Sequence, residues 1–214
     1  MDIVKIVEEK MGQNTYVVID EESKTAVIID AGASIGEIEE HLNMFTIRPD
    51  VKAVLLTHAH FDHIRNVDEY IKKYDCKVYI CESGKDMLYD KDKNLSYLDE
   101  KPFVIKSKKG ITTFVDGDTL TFGNLDFICY NTPGHSVDSS CFAVTDNLFT
   151  GDTVFKVGIG RTDMFSGNED VLKISLTRLR DEIAQDVNHF YAGHGANFDK
   201  DDFNYNISRA LGEE

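Results

Sequence analysis

Val51-Lys52-Ala53-Val54-Leu55-Leu56-Thr57-His58-Ala59-His60-Phe61-Asp62-His63 is the stretch that decides how this chain is read. Its first part, Val51 to Leu56, is a short apolar run without alternation, as expected of a strand buried on both faces. Four residues of metal-ligating type follow that rigid strand directly. Side chains alternate along an extended segment, so His58 and His60 project to the same side and can grip one metal. Asp62 and His63 then bend past it toward a second. Imidazole with carboxylate suits Zn, Fe, Mn, Co or Ni. A histidine-rich turn without metal is the plainer alternative. With only 7 histidines in the chain, that coincidence would be rare.

Outward from this stretch the chain alternates strands and helices. Thr15 to Ile19 and Thr25 to Ile29 read as a hairpin across the polar turn Asp20 to Lys24. Ser34 can cap a helix with Glu37 at the capping-box position, and the stripe Ile35, Ile38, Leu42 and Phe45 carries it to about Phe45. Val67 to Tyr74 reads as a helix and Lys77 to Cys81 as a buried strand. Ser83 is expected to cap a helix running to about Asp90. Lys91 to Gly110 reads as an irregular, charged surface connection. Strands are expected at 111–115, 119–122, 125–130, 140–144, 148–150 and 190–192. Leu172, Leu176, Leu179 and Ile183 mark one helix stripe. The C-terminal stretch from about Asp199 to Glu214 reads as one acidic helix or a loose tail. Pattern alone gives α+β or mixed α/β, in two sheets with helices outside. With no repeat, no linker and three prolines, residues 1–214 read as one continuous domain.

Three more residues stand where strands end and turns begin: His135 in Thr132-Pro133-Gly134-His135, Asp152 in Gly151-Asp152-Thr153, and His194 in Gly193-His194-Gly195. Each has a small neighbour that lets the backbone approach a ligand closely. Alone, each is most simply a structural histidine or a turn aspartate. His41 and His189 read as ordinary helix-face and strand-start residues.

Composition narrows the function classes. The chain has 214 residues, 42% of them hydrophobic and 29% charged, which excludes disordered and fibrous classes. The 23 basic against 38 acidic residues leave a formal charge of -15, which repels phosphate backbones and anionic lipid. No nucleic-acid or membrane partner is therefore expected, only a small-molecule substrate. No apolar run approaches the roughly 20 residues of a membrane span. Met1 to Gly12 lacks a signal-peptide core, so a cytoplasmic location is expected, with Cys76, Cys81, Cys129 and Cys141 as reduced, buried thiols. A monomer or a small homo-oligomer is expected.

Taken together, Asp30-Ala31-Gly32, His58 to His63, Thr132 to His135, Gly151 to Phe155, Gly160 to Asp163 and Gly193 to Gly195 resemble the metallo-β-lactamase-fold hydrolases, most of all the short bacterial members of the glyoxalase II-like branch. The resemblance spans nearly the whole chain. It implies a four-layer αββα sandwich of two mixed sheets, with two divalent metal ions (Zn, or Fe or Mn) at one edge. By motif match, His58, His60 and His135 would hold the first metal, Asp62, His63 and His194 the second, and Asp152 would bridge them. Asp62 and Asp152 would be the catalytic carboxylates, Asp62 also orienting the attacking hydroxide. Arg161 would bind an anionic part of the substrate, with pairing to Asp163 as its structural alternative. Lys156 is a weaker substrate-binding candidate beside a plain surface lysine. Two divalent cations against Asp62, Asp152 and hydroxide leave a site charge of about +1 to draw an anionic substrate.

The activity implied is hydrolysis of a small thioester such as an S-acylglutathione, with lactone hydrolysis as a sibling. The alternative is a persulfide dioxygenase-like oxygenase, using one iron on His58, His135 and Asp152. A non-enzymatic metal-binding module is a third reading. Flavodiiron proteins carry Glu where His60 stands, RNA-processing relatives need a basic surface, and secreted β-lactamases need an export signal. Three features depart from the family pattern. Arg65-Asn66 replace the usual Gly-Gly, Asp138 stands at a usual Gly, and no C-terminal helical domain is expected. Asp138 reads as a partner to a ligand histidine or as a turn residue.

Overall fold

The computed structural model describes residues 1–213. One sheet holds β1 (Asp2–Val7), β2 (Asn14–Asp20), β3 (Thr25–Ile29), β4 (Asp50–Leu55), β5 (Lys77–Cys81) and β6 (Ile111–Phe114), in chain order. The β1/β2 and β2/β3 pairs are antiparallel, and the pairs from β3 to β6 are parallel. The second sheet runs β12-β11-β10-β9-β8-β7, built from β7 (Thr119–Phe122), β8 (Leu125–Asn131), β9 (Ser140–Val144), β10 (Asn147–Gly151), β11 (His189–Ala192) and β12 (Phe198–Asp199). Only β10 and β11 pair in parallel there.

Alternation along the strands explains the layers. Tyr16, Val18, Val27, Ile29, Ala53 and Leu55 of the first sheet meet Phe127, Phe142 and Phe149 of the second. The intervening residues, among them Val17, Ile28, Val54 and Leu56, turn outward onto α1 (Ile35–Leu42) and α3 (Val67–Tyr74) through Ile38, Leu42, Val67 and Tyr70. Leu148, Phe190 and Ala192 of the second sheet pack on Leu172 and Leu176 of α4 (Glu169–Arg178) and on Phe203 and Ile207 of α5 (Lys200–Leu211). Both faces of both sheets are therefore covered, which is why β3 and β4 read as continuous apolar runs. The result is the αββα sandwich of two mixed sheets.

The capping box forms as read, with Ser34 Oγ accepting from Glu37 N–H at 3.3 Å and Glu37 Oε2 accepting from Ser34 N–H at 2.8 Å. Four readings change. β1 is an additional, half-buried edge strand paired only with β2. The segment Glu82–Tyr89 is a 3₁₀ helix, and Ser83 caps nothing; its hydroxyl donates to Val137 O at 3.2 Å. The apolar stripe of α4 ends in a π-helical turn, Leu179–Ile183. Residues 91–110 are not a mere surface connection, since Asn94, Leu95, Ser96 and Ile105 are buried. At the C-terminus, α5 is a packed helix, capped by Asp199, with Phe203, Asn206 and Ile207 buried. Among the described residues no helix is long and apolar enough to cross a membrane, and all four cysteines are buried and unbridged.

Candidate metal centre

Four strand ends converge at one edge of the sandwich. β4 runs into Thr57 to His60 and then a single helical turn, α2 (Phe61–Ile64), which bends Asp62 and His63 inward. The chain after β8 carries His135, the bulge at the end of β10 carries Asp152, and the turn after β11 carries His194. His58, His60, His63 and His135 are buried, Asp62 and Asp152 nearly so, and His194 is partly exposed. The structure thus brings all seven side chains together. Three groupings have ligand atoms within 4.8 Å of one another: His58, His60 and His135; His58, His63 and Asp152; and Asp62, His63 and His194.

Hydrogen bonds decide which ring nitrogens face inward. His63 Nδ1 donates to Asp30 Oδ2 at 2.8 Å, which turns its Nε2 toward His194 Nε2 at 3.3 Å and Asp152 Oδ1 at 3.4 Å. His135 Nδ1 donates to the Arg161 carbonyl at 2.7 Å, which leaves its Nε2 lone pair 3.0 Å from His60 Nδ1. His194 Nε2 lies 3.1 Å from Asp62 Oδ2. Of the other polar atoms here, His58 Nε2, Asp152 Oδ1 and the outer ring nitrogen of His60, Nε2, are buried without a hydrogen-bond partner, while His60 Nδ1 faces His135. Buried acceptors that converge without donors are costly unless a cation satisfies them. The donor set of imidazole and carboxylate fits divalent first-row metals.

The electrostatics point the same way. Burial, and then the neighbouring His63, His60 and His135, hold His58 well below the ordinary histidine range. Burial and His135 lower His60 to about 3. Both rings are therefore neutral, as ligands must be. Burial opposes charge on His63, but Asp152, Asp30 and Asp62 outweigh it and raise this ring well above its usual value. Burial likewise opposes charge on Asp152, yet His63, His194 and His135 hold it below the usual carboxylate range. The negative end of the cluster is thus Asp62 and Asp152, and cationic partners stabilise it.

Glycine matters most at Gly193. A Cβ there would stand 2.2 Å from Asp152 Oδ1 and 2.7 Å from His63 Cε1, so only Gly lets β11 approach the cluster.

Several supporting residues escape a reading of motifs alone. Asp30 sits at φ 61°, in the left-handed region, and besides His63 it accepts from Thr57 N–H at 2.8 Å. Its signal was Asp30-Ala31-Gly32, a polar residue ending a buried strand. Asn14 Nδ2 and Tyr16 OH hold the Ala192 carbonyl at 2.9 and 2.7 Å, fixing the His194 turn from the other sheet. Nothing in a strand sequence marks those two.

The cluster forms the floor of a cleft of about 510 Å³, walled by Met11, Phe61, Leu95, Leu98 and Met164 and rimmed by Lys10 and Arg161. Arg161 side-chain nitrogens pair with Asp163 at 2.6 and 2.8 Å, in the open. Lys156 faces Asp202 at 3.6 Å and lines a neighbouring pocket with Phe155 and His194. Arg65 joins Asp99 at 2.8 Å, and Asn66 Nδ2 donates to Gly32 O and Ala33 O at 2.7 and 2.8 Å. These two departures thus tie the Leu95–Glu100 wall and the strand-end turn after β3 to the histidine motif. Asp138 hydrogen-bonds no ligand histidine. Burial pushes its carboxyl up to about 6, and it hydrogen-bonds Ser136 and the Ala59 amide.

Comparison with known proteins agrees with this architecture. A Bacillus subtilis protein named as a probable polyketide biosynthesis zinc-dependent hydrolase, PksB, is 29% identical over 179 residues, 84% of this chain and 71% of its own. Another from that organism, the probable metallo-hydrolase YqgX, is 33% identical over 191 residues, 87% of this chain and 86% of its own. The crystal structure of the B3 metallo-beta-lactamase BLEG-1 superposes with a TM-score of 0.80 at 29% identity, covering 92% of this chain and 94% of that one. The family pattern itself matches residues 10–194, a span that takes in every strand end contributing to the cluster. By fold and by sequence, the chain belongs to the metallo-beta-lactamase superfamily.

Proposed function

We propose that this chain is a binuclear metal-dependent hydrolase acting on a small thioester. The carrying observation is the pair of ligand groupings, His58–His60–His135 and Asp62–His63–His194, with Asp152 between them at the floor of one cleft. Asp152 is 3.4 Å from His63 Nε2 and 3.7 Å from His135 Nε2, the position a bridging carboxylate needs. The similarity to proteins named as zinc-dependent and metallo-hydrolases supports the same reading.

His58, His60 and His135, and Asp62, His63 and His194, with Asp152, would hold two divalent cations, which when bound would supply Lewis acidity and a water of pKa about 7. The protein's own residues do the rest. Asp62 accepts a hydrogen bond from the attacking water and turns its lone pair toward the carbonyl. Asp30 and the Arg161 carbonyl hold His63 and His135 so that Nε2 of each faces the cluster. The apolar walls of Phe61, Leu95 and Met164 limit water around the scissile bond. A thiol leaving group, with a pKa near 8.5, departs with little protonation help. Arg161, on the rim, can exchange Asp163 for a substrate carboxylate.

Elemental analysis of protein purified without chelator or affinity metal tests this. About two metals per chain, followed by turnover in a thioester panel, is the expected result. One iron per chain would overturn the binuclear reading and favour oxygenase chemistry on persulfides.

A further inference from the structure

The side chains grouped as the first cation site come from loops of different sheets. His58 and His60 follow β4, and His135 follows β8. Their relative position is therefore a matter of how the two loops are joined. The joint is Asp138, whose carboxylate hydrogen-bonds the Ala59 amide and the Ser136 hydroxyl and no ligand ring. It is fully buried. Its Oδ2 accepts the Ala59 N–H at 2.8 Å, from the residue between the two histidines. Its Oδ1 accepts the Ser136 hydroxyl at 2.7 Å, from the residue beside His135. Two further bonds close the joint: Ser140 N–H to Thr57 O at 2.9 Å, and Ser140 Oγ to Asp138 O at 2.8 Å. Behind the carboxyl the 3₁₀ segment comes so near that a Cβ on Gly84 would stand 2.2 Å from Asp138 Oδ2. The carboxyl is thus wedged in place as well as bonded.

We propose that Asp138 is a positioning residue for the first cation site, setting the His58–His60 pair against His135. The second site has other supports, Asp30 behind His63 and the Asn14–Tyr16 pair behind the His194 turn. Bonds to a carboxylate are roughly twice as strong as neutral ones, so this joint is stiffer than a glycine at the same place. Loss of such outer partners typically costs 10–100-fold in metal affinity. The effect belongs to one site of the two, and that selectivity separates positioning from a general loosening. This inference rests on the binuclear reading and sharpens it.

Cobalt(II) titration of the metal-free protein, followed by visible absorption with chelator competition, reads both sites. His194→Asn provides a background in which the first site is titrated alone. Asp138→Gly is expected to weaken first-site cobalt about 10-fold or more and to alter its absorption bands, with the second site changed less than about two-fold. Asp138→Asn, which keeps an acceptor for the Ala59 amide, should restore most of the loss. If Asp138→Gly does not fold, Ser136→Ala removes one of the two bonds and should show a smaller loss confined to the same site. Equal weakening at both sites, or none at either, overturns the positioning role. Wild-type protein that takes no cobalt at all overturns the binuclear reading, and the positioning role with it.

Discussion

His58, His60, Asp62 and His63 arrive together on one stretch, whereas His135, Asp152 and His194 come from three separate turns of the second half. The two groups are also supported by different means. Side chains hold the first: Asp30 grips His63 and Thr57, and Asp138 grips the Ala59 amide. The main chain has a larger part in the second: a carbonyl orients His135, and the missing Cβ of Gly193 makes room beside Asp152. A site drawn from two sheets can therefore be tuned by substitution on one side, while the other side depends more on backbone path.

The largest expected effect comes from removing the residue where the two groups meet. Asp152→Ala should lower the proposed thioester hydrolysis by about 10³-fold, since the cation bridge proposed for it would contribute several kcal/mol to charge stabilisation. Metal content should fall in parallel by elemental analysis. A variant that keeps two metals and most of its rate would show that the groups work independently.

The contrast between side-chain and main-chain support is sharpened by a matched pair. Asp30→Asn should cost roughly 10–100-fold in metal affinity, because His63 loses its charged partner. Arg161→Ala should leave metal affinity nearly unchanged, because only its carbonyl touches His135. In that variant the KM for an anionic substrate should rise instead. Equal losses of metal in the two variants would erase the distinction.

How much of this could be read from the sequence follows the same division. The His58 to His63 motif carries its own spacing on a buried strand, so local pattern sufficed. His135, Asp152 and His194 are individually unremarkable turn residues, legible only through the family resemblance. The capping box at Ser34 was legible because its partner Glu37 lies in the same turn. The role of residues 91–110 was not, because charged residues there conceal Leu95 and Ile105, whose burial depends on contacts far along the chain. Ser83 looked like a cap because nothing local shows that Val137 takes its hydroxyl.

The smallest expected effect concerns the thiols, one of them beside the first sheet and two in the second. Burial pushes Cys76 and Cys141 up to about 11 and Cys129 to about 12. At pH 8 only about one in a thousand of such thiols is ionised, so a thiol reagent should react with them slowly until the protein unfolds. A folded-state pKa above the unfolded value of about 8.5 favours folding fully below that value. That contribution is lost as pH rises toward 11. The denaturation midpoint should accordingly drop between pH 8 and pH 10.5. Rapid labelling of Cys129 or Cys141 in the native protein would show that the second half breathes more than the first.

The Tyr16 hydroxyl meets the Ala192 carbonyl across a chain separation of 176 residues. Closing so long a loop is an entropic cost that must be met before any local gain appears. The cluster of histidines therefore cannot exist in a chain still being synthesised, nor in an intermediate that holds only the first sheet. Capture of the proposed cations would mark the end of folding, so metal uptake followed in time can serve as a clock for the last step of assembly.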